Sequence, residues 1–96
     1  MSNLKKLNEA EVVSSDGFKI KYSRDSLTYV EGDKYLIIPI EHLGGPYEMS
    51  VYINKISDWM RKGAAVSRVS EDDLNVVDER VRGCLSFLKR NFSITR

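Results

Sequence analysis

The stretch FKIKYSRDSLTYVEGDKYLIIPI, residues 18–40, decides the fold class. Phe18, Ile20 and Tyr22 alternate with Lys19 and Lys21, the period of two that marks a strand with one wet face. Ser23-Arg24-Asp25-Ser26 reads as a polar turn, and residues 27–30 and 34–40 read as two further strands. Between them, Glu31-Gly32-Asp33 offers a glycine for the positive φ of a tight hairpin. Tyr35-Leu36-Ile37-Ile38 is apolar on both faces, which predicts a central strand. Pro39 has no N–H to donate and marks where pairing on one side of that strand must stop.

Downstream, His42-Leu43-Gly44-Gly45-Pro46 reads as a loop by its glycines and proline. Tyr47, Met49, Val51 and Ile53 then alternate with Glu48, Ser50, Tyr52 and Asn54, the pattern of another strand. Residues 56–59 continue the sheet or turn over its edge, and residues 61–69 read as basic and irregular. Ser70-Glu71-Asp72-Asp73 has the form of a capping box, with an acid three positions after the cap. Leu74, Val77, Val81, Cys84, Leu85 and Leu88 follow at helical spacing on one face, so a helix over about residues 70–90 should lie on the sheet. Asn91 is a candidate C-terminal cap, and Phe92 and Ile94 alternate with Ser93 and Thr95 as a last strand. The expected architecture is α+β: an antiparallel meander of about five or six strands, one long C-terminal helix packed on it, and a short final strand. Residues 1–16 read as a partly flexible N-terminal segment, and 17–96 as the single domain.

The chain has 96 residues, 42% of them apolar and 30% charged, with two prolines, which suits one globular domain and not a disordered tail. The longest strongly apolar run, residues 35–40, is far shorter than the ~20 residues a membrane-spanning helix needs. Lys5 and Lys6 have no apolar stretch behind them, so no secretory signal is expected and a cytoplasmic location is. A single cysteine permits no internal disulfide. The formal net charge of +1 excludes a simple electrostatic role, since nucleic-acid binders are usually clearly basic. Charge is nevertheless ordered along the helix, with Glu71, Asp72, Asp73, Asp78 and Glu79 preceding Arg80, Arg82, Lys89, Arg90 and Arg96. Acid first and base last is the order a helix dipole favours.

Little in the chain suggests catalysis. Metal sites need three or four convergent ligands, whereas there is one histidine, His42, and one cysteine, Cys84. Cys84 sits within the apolar stripe between Val81 and Leu88, where a thiol acts as a small hydrophobe. Gly44-Gly45 lacks the lysine and the strand-to-helix context of a phosphate loop. No metal, nucleotide or other cofactor is therefore expected. His42, with Glu41 beside it, leaves a small hydrolase as one alternative. Arg61, Lys62 and Arg68 leave a small nucleic-acid-binding or regulatory domain as another.

Binding surfaces leave other traces. Trp59, Tyr47 and Tyr52 are candidate hot-spot aromatics, although a tryptophan here is more often part of the sheet–helix core. Val76, Arg80, Gly83 and Phe87 form a row beside the core stripe of the helix. A glycine in a helix interior costs ~1 kcal/mol against alanine, so something is expected to pack closely on Gly83, either residues 9–13 or a partner.

Tyr29-Val30-Glu31-Gly32-Asp33, Ile37-Ile38-Pro39-Ile40-Glu41, Val51-Tyr52, residues 56–59 ending in Trp59, and the Ser70-capped helix ending Leu85-Ser86-Phe87 together resemble the immunity protein 74 family. These are small bacterial proteins of polymorphic-toxin and contact-dependent growth inhibition systems. The resemblance spans residues 17–96, with Met60-Arg61-Lys62-Gly63 standing where the family pattern has a proline. It implies a cytoplasmic protein, not an enzyme, that binds one cognate toxin domain and blocks it, with no nucleic acid, membrane or small-molecule substrate as partner. If that toxin is a nuclease with a basic active site, Glu71, Asp72, Asp78 and Glu79 become the expected contacts, joined by Tyr52 and Trp59.

Overall fold

A computed structural model describes residues 3–42 and 49–96. Among these, the chain runs through strands β1 (Leu4–Asn8), β2 (Glu11–Ser14), β3 (Phe18–Tyr22), β4 (Ser26–Glu31), β5 (Lys34–His42), β6 (Met49–Tyr52), β7 (Asp58–Arg61), β8 (Ala64–Arg68) and β9 (Phe92–Thr95). A 3-10 turn covers Ile53–Lys55, and the helix α1 covers Glu71–Phe87. The protein is α+β, as the periodicities predict. The expected loop after His42, and Tyr47 with it, lie outside the described residues.

Strands β1 to β5 form an antiparallel meander. Gly32, the first of the two residues between β4 and β5, has a φ of +65°, as glycine-first hairpin turns require. Strand β5 then changes partners along its length. Its pairing with β4 ends at Pro39, opposite Ser26, and its pairing with β6 begins one residue later at Ile40, opposite Val51. At its other end Tyr35 meets Met60 of β7. Strand β9 returns beside β6 in parallel, Ser50 opposite Ser93.

Among the described residues the sheet has nine strands, two or three more than the meander of five or six and the final strand that were expected. Residues before 17, set apart in the sequence reading, supply β1 and β2, and Val12 of β2 is fully buried in the core. Residues 61–69, expected to be irregular, form most of the β7–β8 hairpin. Its turn is Lys62-Gly63, both with positive φ (+51° and +81°), the type I′ geometry that suits a two-residue loop. Every residue of β8 is exposed, so no buried alternation reveals it in the sequence.

One face of the meander carries Phe18, Ile20, Leu27, Tyr29, Leu36 and Ile38, and α1 covers it with Val77, Val81, Cys84 and Leu85. The helix begins on the capping box. Ser70 Oγ accepts from the Asp73 N–H at 3.0 Å, and the Asp73 carboxylate accepts from the Ser70 N–H at 3.2 Å. It ends earlier than Asn91. Lys89 takes the left-handed conformation (φ +59°) and donates to the Ser86 carbonyl, while the Arg90 N–H reaches the Leu85 carbonyl, the two bonds of a Schellman motif.

The buried helix face predicts that Leu85→Ala lowers stability by roughly 2–5 kcal/mol, measured by urea unfolding. Burial also pushes the Cys84 thiol up to about 11. Its modification by a thiol reagent at pH 7.5 should therefore be slow in the native state and fast in denaturant.

Candidate functional site

A row of aromatic rings runs under α1. Phe18 stacks on Tyr29 with centroids 5.7 Å apart, and Tyr29 meets Trp59 at 6.0 Å. Helix side chains fasten both ends of the row. Arg80 donates to the Tyr29 hydroxyl at 2.7 Å and to Glu31 at 3.0 Å, and its guanidinium lies over the Phe18 ring. At the other end, Trp59 Nε1 donates to the Asp73 carboxylate at 3.1 Å. Trp59 is thus 2% exposed and belongs to the sheet–helix core; its indole is not at a surface where a partner could take it.

Asp73 consequently has two tasks, closing the helix cap and holding the indole. The hydrogen bond from Trp59 is the main reason its pKa lies below the ordinary carboxylate value, with burial opposing and Ser70 assisting. A depressed folded pKa means that the ionised form contributes stability that is complete above about pH 5 and is lost as pH falls through and below ~4. Asp73→Asn should therefore destabilise the protein more at pH 7 than at pH 3, as measured by urea unfolding at the two pH values.

The remaining acids of the helix divide into two sets. Asp78 is buried and accepts from Arg82 at 2.6 Å and from Arg96 at 3.2 Å. Glu71 is exposed and sits 3.4 Å from the same Arg96. These two carboxylates fix the strand after the helix to the helix itself. Asp72 and Glu79 are exposed, and among the described residues neither side chain has an ion-pair partner. They fall on one stripe of α1 with Val76 and Gly83, at i, i+4, i+7 and i+11.

Beside that stripe lies an open, mainly apolar cleft of about 670 Å³, between α1 and the loop and strands at the N-terminal side of the sheet. Its lining includes Leu4, Asp16 and Phe18 on one wall and Val76, Glu79, Arg80 and Gly83 on the other. Residues 9–13 do not pack on Gly83: among the described residues no atom outside its own helix surroundings comes within 4 Å of where a Cβ would stand. The absent side chain opens the cleft. Val76 is 43% exposed and Phe87, one turn beyond Gly83, is 44% exposed. Leu4 and Asp16 come from the segment before residue 17, and no local pattern in the sequence marks them as facing the helix.

The other expected contacts are scattered. Tyr52 is half-buried, with Lys55 Nζ 4.9 Å from its ring, away from the cleft lining. Arg61 pairs with Asp33 at 3.0 Å, and Lys62 and Arg68 are exposed on the β7–β8 hairpin. Glu41 and His42 are consecutive residues of β5, so their side chains leave opposite faces of the strand and Glu41 does not orient the imidazole. Among the described residues no helix is long and apolar enough to cross a membrane. No protein-family model, curated protein or solved structure matches the chain.

Proposed function

We propose that this chain is an immunity-type protein that binds a cognate bacterial toxin domain in the cytoplasm of the producing cell and neutralises it by forming a one-to-one complex. The observation that carries the reading is the outer stripe of α1, where Asp72 and Glu79, without an ion-pair partner among the described residues, stand beside exposed Val76 and the open cleft at Gly83. An exposed apolar surface edged by unpaired charge is the usual make-up of a protein-binding patch. The resemblance of residues 17–96 to immunity protein 74 supplies the class of partner. A toxin of basic surface, such as a nuclease domain, suits the sign of the stripe.

Asp78 and Glu71, paired within the molecule, serve the fold in this reading, and Trp59 supports the helix that presents the stripe. Contact falls to Asp72 and Glu79. The double reversal Asp72→Lys with Glu79→Lys should slow association with the toxin encoded beside this gene by at least about tenfold at low salt. Its cost in folding stability should stay near ~1 kcal/mol, since Asp72 leaves the first turn of a helix dipole. Stopped-flow binding and thermal melting measure the two effects. Wild-type protein that neither binds nor protects against that toxin in co-expression would sink the immunity reading, and salt-dependent binding to DNA or RNA instead would favour the basic hairpin.

A further inference from the structure

The cleft beside α1 says more about its occupant than the proposed function requires. Its apolar lining, Leu4, Phe18 and Val76, is accompanied by carboxylates from two separate elements, Asp16 in the β2–β3 loop and Glu79 on the helix. Among the described residues neither carboxylate has an ion-pair partner. The cation in the lining, Arg80, is already committed: it is bonded to Glu31 and to the Tyr29 hydroxyl and lies over Phe18. Among the described residues of the lining the uncommitted charge is therefore negative, and the other side chains are apolar. At about 670 Å³ the volume falls within the ~300–1,000 Å³ of pockets that enclose a ligand.

From this we infer that the cleft receives a short segment of a partner protein in which a large apolar side chain stands within two residues of a lysine or arginine. The apolar group enters over Gly83 against Leu4 and Val76, since Arg80 already covers Phe18, and the cation pairs with Asp16 and Glu79. An acidic segment would meet uncompensated repulsion, and a purely apolar one would leave both carboxylates partly desolvated without a partner. The inference rests on the binding role proposed above for the class of occupant, a protein, and names the chemistry of its anchor.

Gly83 provides the test, because a Cβ there meets no atom of the described residues within 4 Å and the position borders the cleft. A phage-displayed random dodecapeptide library is panned on the immobilised full-length chain, with counter-selection on Gly83→Trp. Enriched peptides should carry Leu, Met or an aromatic residue within two positions of Lys or Arg. A synthetic copy of the leading peptide should lose at least about tenfold in affinity to Gly83→Trp, by occlusion, and to Asp16→Lys, by charge. Both variants should melt near the wild-type temperature, and Gly83→Ala should bind and melt at a higher one.

No enrichment, enrichment of acidic or uncharged peptides, or binding indifferent to both variants would overturn the inference. A wild-type dimer that Gly83→Trp converts to monomer would assign the cleft to a second copy and overturn it equally. Failure of toxin neutralisation alongside successful peptide selection would remove the immunity reading and leave the cleft's chemistry standing.

Discussion

Arg80 reaching under the helix to the Tyr29 hydroxyl is the contact from which the rest of the arrangement follows. Tyr29 is fully buried, and a phenol so placed without a partner would carry the full cost of its lost hydration. One guanidinium meets that demand, pairs with Glu31 at the end of the same strand, and covers the neighbouring ring of Phe18. A bond from mid-helix to mid-sheet fixes the rotation of α1 about its own axis. Trp59 and Asp73 fix it again about two turns earlier. With the rotation set, Val77, Val81, Cys84 and Leu85 must face the sheet and Val76 and Gly83 must not.

That constraint also explains why the acidic residues of the helix are not equivalent. Five of them sit within nine positions, and from composition alone they look like one solvated patch. Three point toward something this chain already holds: Asp73 toward its own cap and the indole, Asp78 toward Arg82 and Arg96, and Glu71 toward Arg96. Asp72 and Glu79 point away. Net charge cannot separate these two populations, because the sum weighs a paired carboxylate and an exposed one alike.

Strands with one buried face and one wetter face were legible from alternation, as β3 shows, and so was the capped helix; β6 alternates in sequence but buries Ser50 beside Met49 and Val51. The partner change at β5 was foreshadowed by Pro39, whose missing N–H forbids a ladder bond on one side. What escaped reading had no local signature. Strand β8 buries nothing, so its five residues show no period, and the Lys62-Gly63 turn that makes it a hairpin uses a lysine where asparagine or glycine would have been recognisable. The Lys89 turn at the end of α1 hides in the same way, which drew attention to Asn91. Asp16 and Leu4 face the helix across the cleft, and a placement at such separation is written in no window of sequence. Trp59 was ambiguous for a different reason: its strand loses alternation at the bulge between Trp59 and Met60, so exposure could not be assigned from its neighbours.

The parallel contact between β6 and β9 bears on how this molecule comes into being. Ser50 and Ser93 face each other across that pair with hydroxyls 3.3 Å apart and 43 positions between them in the chain. Closing so large a loop costs entropy that local hairpins avoid, so the meander and the helix can form early whereas the last strand docks late. Until residues 92–95 dock, β6 presents an open edge on that side. A chain trimmed of residues 92–95 would thus carry the helix and its outer stripe on a sheet whose β6 edge is ready to pair with another strand.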